Sequence, residues 1–154
     1  MKKYRLLLVT LMLLMAGCMT HPISTFNSSY GKLYLTDASK LMEIITNTIR
    51  GMKGYRIVEQ KNSSYLTVRY DPSNPFFGSA TIKMQLLSSE GLDINNQKHT
   101  GIEIIMTDTT RWYSEDTSFS AGDIMAVLIN QVEQSITYHK IDSVSISKNV
   151  PMKY

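Results

Sequence analysis

Cysteine is almost absent from this chain: Cys18 stands alone in 154 residues, so no intramolecular disulfide can form. Histidine is scarce too. His21, His99 and His139 fall in none of the HExxH or Cys/His spacings that build a metal site. There is no GxGxxG and no P-loop sequence to cradle a phosphate. Ser88-Ser89 and Ser118-Phe119-Ser120 lack the context of a nucleophile elbow. Glu115 and Asp116 form an adjacent acidic pair, in principle fit for acid/base work or a cation. No wider ligand set accompanies them, and the pair reads as a solvated loop. With no catalytic set, no metal set and no cofactor motif, the chain reads as a non-enzyme.

Long apolar runs are equally rare, and the one that exists lies at the start. Lys2, Lys3 and Arg5 precede Leu6 to Met15, which carries no charge, and the small residues Ala16 and Gly17 follow. Basic, apolar and small in that order make a secretory signal. As a helix this apolar run would reach ~15 Å, about half of a ~30 Å hydrocarbon core, too short for a resident span.

The five residues Leu14-Met15-Ala16-Gly17-Cys18 resemble the lipobox of bacterial lipoproteins, with Met15 at a position usually held by Leu. The resemblance implies a cut between Gly17 and Cys18, a diacylglyceryl group on the Cys18 thiol, and acylation of its new amino group. It explains a lone cysteine in an exported chain. Each buried acyl methylene contributes ~0.8 kcal/mol, so two or more chains hold a domain on its membrane. In the enterobacterial pattern, Asp after the cysteine retains a lipoprotein in the inner membrane. Met19 stands there instead, which implies outer-membrane delivery, facing the periplasm.

Removing residues 1–17 takes away three basic residues and no acid. The full chain has 16 Lys and Arg against 13 Asp and Glu, so the mature chain is neutral. A nucleic-acid partner would require a basic stripe, and polybasic attraction to lipid is equally unsupported. Residues 18–30 then read as the lipidated cysteine and a polar tether, rich in Ser and Thr.

Residues 31–154 read as a single domain. Lys32 to Thr36 suggests a short strand with Leu33 and Leu35 on one side, and Thr36 or Asp37 can cap a helix. Ala38, Leu41, Met42, Ile45, Ile49 and Met52 form one apolar stripe at helical spacing. Strands are expected over residues 55–60 and 64–70, joined by a hairpin turn, with Leu66, Val68 and Tyr70 on one face. A third strand over residues 79–88 places Ala80, Ile82, Met84 and Leu86 inward. Residues 89–100 read as a polar loop. A fourth strand, residues 101–113, turns Ile102, Ile104 and Met106 inward and Glu103, Thr107 and Thr109 outward. Ser120 and Asp123 resemble a capping box, opening a helix with Ala121, Ile124, Met125, Leu128, Val132 and Ile136 on its stripe. Ile141, Val144 and Ile146 either pair at a sheet edge or fray.

This order gives an α+β fold: a mainly antiparallel sheet of about four to five strands with two helices on one face. The helix end Gly54-Tyr55-Arg56-Ile57-Val58 and the strand Ser64-Tyr65-Leu66-Thr67-Val68 resemble small periplasmic lipoprotein domains of the LptE and TraT types. That likeness supports the fold.

Two aromatic groups are candidate partner contacts. Phe76 and Phe77 sit in a proline-bounded loop, where they either fold back over the core edge or anchor a partner. Trp112, between Arg111 and Tyr113, either covers the core at a strand end or serves the same purpose. Met42, Met52, Met84, Met106 and Met125 fall on the core stripes and read as packing. The expected function is a membrane-anchored, non-enzymatic accessory or assembly subunit of an envelope complex for transport, secretion or conjugation. The alternative is a carrier holding a small or lipidic ligand between helices and sheet, which requires a sizeable apolar pocket among Leu41, Ile45 and Leu128.

Overall fold

The computed structural model describes residues 25–26, 32–73, 79–109 and 121–150. Within them the chain runs β1 (Thr25–Phe26), β2 (Lys32–Tyr34), α1 (Ala38–Gly51), β3 (Tyr55–Lys61), β4 (Tyr65–Tyr70), β5 (Ala80–Leu92), β6 (Lys98–Asp108), α2 (Ala121–Tyr138), β7 (Ser143–Ser145) and β8 (Lys148–Val150). The strands form one sheet in the order β3-β4-β5-β6-β2-β7, with β1 added on β6 and β8 on β5. Every pairing is antiparallel. The architecture is the expected α+β, with more strands than four to five.

Local chemistry explains the helices. Asp37 is the N-cap of α1, and its Oδ1 accepts from the Lys40 N–H at 2.8 Å, satisfying one of the amides that a helix start leaves unpaired. Leu41, Met42, Ile44, Ile45 and Ile49 bury one face. At the end of α2, the Ile141 N–H reaches the Ile136 carbonyl and the Lys140 N–H reaches that of Thr137. Lys140 has φ 55°, so the helix closes in a Schellman arrangement without glycine.

Both helices lie on one face of the sheet. Alternate residues of β4, β5 and β6 meet them: Leu66 and Val68, then Ile82, Met84 and Leu86, then Ile104 and Met106. Register ties the layer together, with Met84 opposite Met106 and Leu86 opposite Ile104. Leu41, Ile45, Leu128 and Val132 are wholly buried in the same cluster. At about 25 cal/mol per Å² of apolar surface removed from water, this layer is the main source of stability.

Several expectations need correction. Residues 89–100 are not a loop: β5 continues to Leu92, β6 begins at Lys98, and only residues 93–97 turn. Polar side chains hid these strands, because their ladder hydrogen bonds are backbone bonds that the hydropathy pattern does not report. Asp93 organises the turn, its Oδ1 accepting from the Asn95 and Gln97 N–H groups, each at 2.8 Å, as an Asx turn does. Leu33 and Leu35 part company, since Leu33 is fully buried and Leu35 is 43% exposed. In β2 it is Tyr34 that joins the helix-facing core. Glu103 points away from the helices as expected, yet it is buried, and the Ser89 hydroxyl donates to its Oε2 at 3.0 Å.

Residues 143–145 and 148–150 form strands at the sheet rather than fraying. β7 pairs with β2, and β8 pairs with Glu90, Gly91 and Leu92 of β5. The chain between them, carrying Ile146 and Ser147, therefore crosses the end of the β5–β6 hairpin and joins the two sides of the sheet. Two glycines make room. A Cβ on Gly91 would lie 2.6 Å from Ile146 Cγ2, and one on Gly101 would lie 2.8 Å from the Tyr34 carbonyl oxygen. Leu33 and Ile146 are buried here, outside the helix-facing cluster.

Candidate functional site

The residues singled out by sequence fall mostly outside the structural description. Gly17, Cys18, Phe76, Phe77 and Trp112 all lie outside the described residues, as do Glu115, Asp116 and Ser120. No helix among the described residues is long and apolar enough to cross a membrane. Among the same residues, no three His, Cys, Asp or Glu side chains gather into a metal-binding group.

What the structure brings together instead is a groove at one side of the sheet. β3 is the edge strand, and among the described residues it pairs only with β4. α1 lies over this side of the core, with Ile57 of β3 packed against the cluster that its buried face helps to form. Between the helix and the β3–β4 turn lies an open groove of about 480 Å³. Its floor includes Met42 and Thr46, both buried. The Thr46 hydroxyl is already committed to the Met42 carbonyl. Glu43, Asn47 and Arg50 form the helical wall, at the spacing that lines up on one helix face, and Gln60, Asn62 and Ser63 form the other.

The edge strand is irregular. The register shifts between Ile57 and Glu59, so Val58 is the extra residue of a bulge, 56% exposed. Bulges and charged side chains are common protections of an open edge. Here the charges are Arg56, Glu59 and Lys61. Lys61 Nζ lies 3.0 Å from Glu59 Oε1, a hydrogen bond and charge that raise its pKa. On the face away from the helices, Asp71 accepts from Arg56 Nε at 2.9 Å and Arg69 Nε at 2.8 Å. Partial burial pushes the Asp71 carboxyl up, but the two guanidiniums outweigh it and hold it below the usual carboxylate range. These pairs are exposed and contribute little stability individually. Their interest is their sign and place.

Charge is divided unevenly along the chain from residue 18 onward. Residues 18–78 carry seven Lys or Arg against four Asp or Glu, and residues 79–154 carry six against nine. A composition that sums to zero conceals this, because the first group builds α1, β3 and β4 and the second builds β5, β6 and α2. The groove therefore belongs to the basic half. In the sequence Gln60, Asn62 and Ser63 show only a polar strand end and turn. Only the topology shows that the turn and the helix meet.

The arrangement presents hydrogen-bond donors and acceptors on both walls of the groove. Comparison of the chain with protein families, with curated proteins and with solved structures finds no match.

Proposed function

We propose that this chain is a lipid-anchored protein of the bacterial cell envelope, serving as a non-enzymatic accessory or assembly subunit of a transport, secretion or conjugation complex. The observation that carries the reading is the order Lys2–Arg5, Leu6–Met15, Ala16-Gly17 and Cys18, which fits export followed by acylation. The lipid on Cys18 is the membrane contact, and Met19 favours the outer membrane with the domain facing the periplasm. The partner is another envelope protein, and no nucleic acid is involved. Phe76, Phe77 and Trp112 remain candidate contacts with it.

Support for an assembly role over a ligand carrier comes from the interior. Leu41, Ile45 and Leu128, which would line a lipid pocket, are wholly buried in one continuous core. The groove beside α1 is lined mainly by polar side chains, a poor match to an apolar ligand.

The anchoring reading is tested by Cys18→Ser. The expected result is an uncleaved precursor that takes up no radiolabelled palmitate. Continued cleavage and labelling would overturn it. The assembly reading is tested by crosslinking the intact lipoprotein in membranes and identifying what is joined to it, where recovery of general envelope background alone counts against a dedicated partner.

A further inference from the structure

The groove and the open edge are two views of one place. A strand added outside β3 would continue the sheet, and every second side chain would point to the face that α1 covers. That is the side on which Glu43, Asn47 and Arg50 face Gln60 and Asn62 across open space. We propose that the outer edge of β3 receives an extended, net-acidic segment of a protein partner, which adds as a further strand and lays alternate side chains into this groove.

Three observations fix the kind of occupant. An edge strand that has one neighbour among the described residues offers backbone donors and acceptors at strand spacing, which another extended backbone satisfies in series. The groove walls are polar, so the inserted side chains are polar. The sign comes from the surroundings. α1 and the turn after it expose Lys40, Arg50 and Lys53 against Glu43, and among the described residues Arg50 has no ion-pair partner. Lys61 and Arg56 are occupied by Glu59 and Asp71. The bulge at Val58 interrupts the ladder and discriminates against any strand that merely finds an open edge. Strand addition is therefore confined to Glu59–Lys61, the stretch that borders the groove.

The proposal deepens the assembly-subunit reading, on which it rests for the partner being a protein. It does not depend on lipid at Cys18. The test uses the full-length protein in detergent, once lipidated and once as Cys18→Ser, with a short capped peptide of alternating Thr and Asp as the probe.

Fluorescence anisotropy should show salt-sensitive binding, equal for both forms, and no binding of the matching Thr-Lys peptide. Arg50→Glu, at an exposed position on α1, should weaken binding about tenfold. Hydrogen exchange should slow at the outward-pointing amides within Glu59–Lys61. Absence of binding overturns the proposal, as does binding without protection in β3. Displacement of the peptide by phosphatidylglycerol bicelles, without β3 protection, also overturns it and assigns the basic half to a lipid surface. Failure of lipidation alone would leave these readouts unchanged, so the two readings fail separately.

Discussion

The Tyr34 hydroxyl donates to Glu133 Oε1 at 2.9 Å, and Lys32 Nζ lies 3.3 Å from the same oxygen. One carboxylate on α2 thus gathers two side chains of β2 and pins a short strand to the helical layer. Tyr34 is almost wholly buried, so the hydroxyl needs this partner. Tyr34→Phe should lower stability by about 1 kcal/mol, the size of one such bond reaching a half-exposed carboxylate. Urea denaturation checks this, and an unchanged midpoint would mean that the bond contributes nothing.

Alkaline pH should expose the same chemistry. Burial, then the charge of Glu133 and its hydrogen bond, push the Tyr34 hydroxyl far above its ordinary value of 10. Burial and the neighbouring Tyr70 push Tyr55 up to about 12. Both groups stay neutral in the folded chain while the unfolded chain ionises. Their contribution is intact below pH 10 and is lost as pH rises towards the folded values, by up to about 1.4 kcal/mol per pH unit for Tyr34 and by less for the more exposed Tyr55. Tyr55→Phe should make the fall between pH 10 and 12 shallower.

The close approach at the hairpin end makes a sharper prediction. Gly101→Ala places a methyl against the Tyr34 backbone, which cannot rotate away, and should cost about 2 kcal/mol. Gly91→Ala meets the side chain of Ile146. Its signature should be local, with faster hydrogen exchange in residues 143–150 and little change in α1.

Leu128→Ala separates a packed interior from a ligand pocket. Leu128 is fully buried, and removing its branch from a filled core should cost about 3 kcal/mol. A site kept open for a ligand would tolerate the change at far smaller cost. Thermal denaturation decides between them.

Asp37→Ala should cost about 1 kcal/mol through loss of the helix cap, read by denaturation monitored on helical circular dichroism. An equal effect from Lys40→Ala, whose side chain takes no part in the cap, would show that the capping bond is not responsible.

The two helices, the first two hairpin strands and the inward residues of β5 and β6 were legible in the sequence. Each rests on periodicity over several turns or pleats, as at Leu41, Ile45 and Ile49 or at Ile82, Met84 and Leu86. The second half of the β5–β6 hairpin was not legible. Ser88, Ser89 and Glu90 extend a strand because β6 pairs with them, not because they alternate. Leu33 misled for a related reason: both faces of β2 are covered, so no alternation survives there. The groove beside α1 was beyond reach, because it depends on which side of the sheet the helix covers. Gly17, Cys18, Phe76, Phe77 and Trp112 are read from sequence alone.

The union of β2 with β7 has a consequence for the birth of the protein. Lys32 to Tyr34 lie early in the described sheet, and their partners Ser143 to Ser145 lie far along the chain, beyond both helices. Contacts between distant parts of a chain slow folding, because a large loop must close before they form. A chain emerging with its N-terminus leading would have to present residues 143–145 before β2 gained its second neighbour. Until then β6 would lack the completed neighbour that β2 becomes when β7 secures it. A chain cut short after α2 would therefore be an unfinished sheet with open edges, exposed to the aggregation that such edges invite.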